Sequence, residues 1–67
     1  MKYDKIHAMT DAELDTNLAD FRKELLTMRI QSRTGQLEKP ARLRELRRDI
    51  ARIHTEQTAR AAANANN

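Results

Sequence analysis

Two apolar heptad seams, separated by one glycine and one proline, limit what this 67-residue chain can become. The first runs Leu14, Leu18, Phe21, Leu25 and Met28, at spacings of 4, 3, 4 and 3. The second runs Leu43, Leu46, Ile50 and Ile53, at spacings of 3, 4 and 3, and continues to Gln57 and Arg60. Such spacing places one apolar stripe along a helix and suits a coiled-coil contact. Punctuation agrees with the seams. Thr10 and Glu13 form a capping box, with Asp11, Glu13 and Asp15 at the positive end of the helix dipole. Gly35 suits the left-handed residue just past a helix end, and Pro40 suits the first position of the next. The spacing therefore predicts helices over about 10–34 and 40–60.

Helices that long, joined by about five residues, must fold back antiparallel, so that the seams face each other. The expected fold is all-α, an antiparallel two-helix hairpin of coiled-coil type. Residues 1–60 form its single domain. Tyr3, Ile6, Ala8 and Met9 predict a short helical segment before the hairpin, and the alanine- and asparagine-rich 61–67 predicts a disordered tail. Nine seam residues are the whole expected core, without a disulfide to support it, since cysteine is absent. A chain so small is expected to be marginally stable alone and completed by a partner.

Charge is distributed unevenly. Residues 1–20 carry Lys2 and Lys5 against five acids, a balance of −3, whereas 21–60 carry eleven bases against five acids, a balance of +6. On the second helix Arg44, Arg48 and Arg52 form a row opposite Leu46 and Ile53, with Arg47 at its border. Glu45, Asp49 and Glu56 form an adjacent acidic stripe able to pair with some of these arginines. Arg22, Arg29 and Arg33 share a flank of the first helix, and Lys39 and Arg42 follow at the hairpin end. Arginine makes bidentate contacts with phosphate, and exposed ion pairs contribute little to stability, so the surplus points to a polyanion. No aromatic residue stands near it, which favours phosphate and sugar contacts over base stacking. Leu26 and Ile30 point away from the seam; they are either ordinary exposed aliphatics or a contact for protein or RNA, and the protein contact is the candidate carried forward.

Catalysis finds little support. One glycine in a turn cannot build a phosphate-cradling loop, and His7 and His54 are far apart in sequence, so no catalytic set, metal site or cofactor is expected. No apolar run reaches the ~18 residues of a membrane span, and the N-terminus lacks a signal-peptide core, so the chain is expected to be soluble and cytoplasmic.

The runs Phe21 to Gln31, Thr34-Gly35-Gln36-Leu37-Glu38 and Leu46-Arg47-Arg48-Asp49-Ile50-Ala51-Arg52-Ile53 closely resemble the bacterial ribosomal protein L29 family. The resemblance covers about residues 10–55; the opening from Lys2 to His7 and the tail after Arg60 lie outside it. It implies a structural, non-catalytic component of the large ribosomal subunit, a hairpin lying on rRNA near the polypeptide exit tunnel. It also implies ribosomal protein L23 as a neighbour, with nascent-chain factors docking close by. Carried onto this chain, the RNA-facing candidates are Arg29, Arg33, Lys39, Arg42, Arg44, Arg47, Arg48 and Arg52. Two alternatives stand beside it. One is a non-ribosomal antiparallel coiled coil that binds a protein through Leu26 and Ile30; the other binds the DNA backbone.

Overall fold

The computed structural model describes residues 2–35 and 40–65, and within them every regular element is helical. Three helices follow one another: α1 (Tyr3–Ala8), α2 (Asp11–Arg33) and α3 (Pro40–Ala65). Thr10 caps α2 as expected, its Oγ1 accepting from the Glu13 amide at 3.1 Å. The Glu13 carboxylate reaches back to the Thr10 hydroxyl, which donates to it at 3.1 Å, rather than to the Thr10 amide. At the other end Thr34 N–H donates to Ile30 O at 3.2 Å, and Gly35 follows at φ +76°.

A β-carbon on Gly35 would meet no atom within 4 Å, so only the backbone conformation demands glycine there. Gly35→Ala should cost about 1 kcal/mol through left-handed strain alone, read as a downward shift in a thermal melt with unchanged helicity.

Cross-helix bonds pair residues in reverse order, Arg60 with Asp11, Gln57 with Asp15 and His54 with Arg22, so α2 and α3 are antiparallel. The seams meet as the heptads require. Leu14, Leu46 and Ile53 are fully buried, and Leu18 and Met28 nearly so. Phe21, Leu25, Leu43 and Ile50 are only half-buried, because two helices cannot enclose the borders of their own seam. The core also contains a residue from outside the hairpin. Ile6 of α1 is fully buried and packs with Leu14, Leu18 and Ile53. The short N-terminal helix is thus a third wall.

One boundary differs from expectation. Residues 61–65 continue α3 instead of opening a tail, although all five are exposed. Four alanines, the best helix formers, carry the helix on. The last two residues of the predicted tail lie outside the described residues.

Candidate nucleic-acid interface

The second helix presents its charges in two environments. Around the helix axis, with Ile53 as the direction of the seam, His54 and Arg47 fall at ~+100 to +120°, while Glu45, Asp49, Arg52 and Glu56 fall at ~−40 to −100°. On α2, with Leu14 as reference, Arg22, Arg29 and Arg33 fall at ~+60 to +100°, and Glu24 falls at ~−80°. In an antiparallel pair the same sense of rotation lies on the same side of the hairpin. Bonding agrees with this. Arg22 Nη2 donates to His54 Nε2 at 2.8 Å across one side. Across the other, Arg42 grips Glu24 through Nε at 2.9 Å and Nη2 at 2.8 Å.

The side bearing Glu24 is internally neutralised. Arg42 also donates to Glu45 at 3.2 Å, and its guanidinium draws the Glu24 carboxyl below its usual range. Arg52 Nη1 donates to Asp49 at 3.4 Å. Asp49 and Glu56 are buried, at 4% and 3% exposure, so the supposed acidic surface stripe is largely interior. A carboxylate there must have partners, and Glu56 has three. Tyr3 donates from its hydroxyl at 2.6 Å, His7 from Nδ1 at 3.0 Å and Arg60 from Nε at 2.9 Å. Arg60 spends its remaining donors on Asp11 Oδ1 at 2.7 Å, the His7 carbonyl at 3.1 Å and the Met9 carbonyl at 2.6 Å. Together Glu56 and Arg60 fasten α1 and the α1–α2 junction to α3. Sequence reasoning missed this cluster; the Glu56–Arg60 spacing of four was visible, but its partners lie about fifty residues away.

Hydrogen bonds from Tyr3, His7 and Arg60, in that order, lower the Glu56 pKa to about 2 against the opposition of desolvation, and the same Tyr3 bond raises the tyrosine pKa. A depressed carboxylate stabilises the fold above its unfolded value of 4.5 and loses that contribution as pH falls towards 2. Docking of α1 should therefore loosen within that window. Tyr3 is the single tyrosine and there is no tryptophan, so its emission reports the event directly. In Glu56→Gln the low-pH Tyr3 signal should already be present at pH 7; an unchanged acid transition in that variant would remove Glu56 as its cause.

The other side carries Asp11 and Asp15 near the start of α2, but its cations gather in the second half of α2 and the first half of α3. Arg29, Arg33, Arg44, Arg47 and Arg48 are all exposed and make no ion pair among the described residues. Arg29, Arg33 and Arg47 share the side bridged by Arg22 and His54, while Arg44 and Arg48 continue round the outer back of α3. The structure thus divides the eight RNA candidates. Five form this surface, Arg42 and Arg52 are engaged by carboxylates on the opposite side, and Lys39 lies outside the described residues. His54 stands exposed at the edge of the seam as a partner of Arg22. Leu26 and Ile30 are 59% and 56% exposed, on the outer back of α2.

Among the described residues no three His, Asp or Glu side chains converge on a possible metal position, and no helix is long and apolar enough to cross a membrane. A shallow depression beside Asp11, Asp15, Gln57 and Arg60 has those side chains bonded to one another. What the arrangement can do chemically is bind a polyanion.

The fold and the site define a small all-α helical hairpin with a group of exposed arginines. Comparison narrows this. The profile of the ribosomal L29 protein family matches residues 4–60. The large ribosomal subunit protein uL29 of Carboxydothermus hydrogenoformans is 51% identical over 55 residues, 82% of this chain and 80% of that one. Its counterpart in Zymomonas mobilis is 49% identical over 59 residues, 88% of each chain. No solved structure gives a significant match. The chain belongs to the ribosomal L29 protein family, a structural family without enzymatic activity. The match is wider than residues 10–55; it takes in most of α1 and ends at Arg60, so the opening from Asp4 onward and both Glu56 and Arg60 fall inside the family region, while Lys2 and Tyr3 precede it.

Proposed function

We propose that this protein is a component of the large ribosomal subunit that binds rRNA through the cationic side of its hairpin. The observation that carries this reading is a group of five exposed arginines that make no ion pair among the described residues, in a chain whose relatives are named as large-subunit proteins. Arg44, Arg47 and Arg48 on α3 and Arg29 and Arg33 on α2 meet phosphates from two helices at once, and the packed seam fixes their separation. Arg42 and Arg52 serve as struts on the far side. The site of binding is the region of the polypeptide exit tunnel, with L23 as neighbour and nascent-chain factors nearby, and the compartment is the cytoplasm.

Sedimentation of the tagged protein from a lysate tests the reading. Co-migration with the large subunit, lost on RNase treatment and weakened steeply by salt, is the expected result. Migration at the top of the gradient under every condition would overturn it. The exposure of Leu26 and Ile30 supports a second contact, with protein, whose affinity should hold or strengthen as salt rises.

A further inference from the structure

We propose that the ridge formed by Leu26 and Ile30 seats an acidic amphipathic helix from a neighbouring protein. Both residues are more than half exposed, at 59% and 56%, although every other leucine and isoleucine described in the hairpin is at least half-buried. They stand four apart, so their side chains are neighbours on one face and make a short continuous ridge. Neither other helix can cover it. With Leu14 as the seam direction, Leu26 and Ile30 lie at ~+120 to +160°, on the back of α2 away from α3. The docked α1 is fastened to α3 through Glu56 and Arg60, on the far side of the hairpin.

The surroundings say what kind of partner fits. Lys23 borders the ridge on one side and Arg29 and Arg33 on the other, all exposed and without an ion pair among the described residues. No Asp or Glu occurs from Leu25 to Gly35. A ridge of two aliphatics fits the groove between the side-chain rows of another helix, and the cationic border selects carboxylates beside that groove. RNA supplies the charge but no apolar groove, and it would leave both aliphatics against phosphate and ribose. A basic partner would bring like charges together. The two backs of the hairpin thus differ in kind: α3 offers arginines alone, and α2 offers an aliphatic ridge in a cationic frame. That difference deepens the ribosomal reading by adding a protein partner on the back of α2, with Arg29 and Arg33 at the boundary between the RNA contact and the ridge.

Two experiments test the proposal separately from that reading. In the first, the free full-length chain is titrated with a synthetic helical peptide bearing a leucine stripe flanked by glutamates, and with the same peptide flanked by lysines. The glutamate peptide should bind, and Leu26→Gln with Ile30→Gln, both at exposed positions, should weaken it about tenfold or more. Equal affinity for the lysine peptide, or no effect of the two substitutions, overturns the proposal. In the second, a photo-crosslinking residue at position 26 or 30 is activated in purified large subunits and the adduct is digested with RNase. A cross-link to an acidic, apolar-striped helical segment of a neighbouring protein supports the proposal. A cross-link to RNA, or to a segment lacking carboxylates, overturns it. Failure of the chain to enter the subunit overturns the ribosomal reading and leaves the peptide titration to decide this one.

Discussion

Ile53→Ala should unfold the isolated chain at room temperature. Ile53 has no exposed surface and is the residue of α3 on which Ile6, Leu14 and Leu18 converge. It therefore joins all three helices. Truncating a fully buried isoleucine costs about 2–5 kcal/mol through lost transfer energy and the cavity left behind. Among the described residues only six apolar side chains are buried, so no reserve absorbs that loss. Far-UV circular dichroism at 25 °C should show most of the helical signal gone. Leu26→Ala, at a position 59% exposed, should change stability by no more than about 0.5 kcal/mol. If both variants keep a cooperative melt near that of the parent, the core is not where the structure places it. An Ile53→Ala chain that regains helicity on assembly would show the partner supplying the missing stability.

The contrast between these positions also marks what could be read from the chain. Leu14, Leu18, Leu46 and Ile53 were legible because heptad spacing is a local property, and Thr10, Gly35 and Pro40 punctuate helices by their own backbone chemistry. Ile6 was not, although it is buried as deeply. Its burial depends on how a six-residue helix docks against a residue 47 positions away, and no periodicity in so short a segment encodes that. Glu56 was misread for the same reason. On a helical wheel it stands with Glu45 as a surface acid, and only the arrival of Tyr3 and His7 makes it an interior carboxylate. The arginines were intermediate. Their positions on each helix were legible, but which side of the hairpin they shared depended on pairing α2 with α3. That pairing separates Arg42 and Arg52, bound to acids, from Arg47 and its neighbours.

Replacing Arg47 and Arg48 together by glutamate should abolish stable incorporation into the large subunit while leaving the hairpin folded. Both side chains are exposed and make no ion pair among the described residues, so their loss orphans no partner. Glutamate forms helix as well as arginine does. Arg52 is a poorer choice for this test, because its replacement would also remove an ion-pair partner of buried Asp49. A hydrogen bond to a charged group contributes about 1.5–3 kcal/mol, so losing two phosphate contacts lowers affinity by about a hundredfold or more before repulsion is added. The salt dependence should flatten by about two phosphate equivalents. Lys2→Glu with Lys5→Glu is the matched control. Each pair moves the net charge from +3 by four units to −1, but the lysines lie before and within α1, on the side fastened by Glu56. Quantitative mass spectrometry of gradient-purified subunits should show the first variant missing and the second at normal occupancy. Equal loss in both would mean that net charge alone governs binding. Normal occupancy in both would remove Arg47 and Arg48 from the interface. Only the unequal outcome makes the cationic side a site, because only then does the position of the charge matter and not its sum.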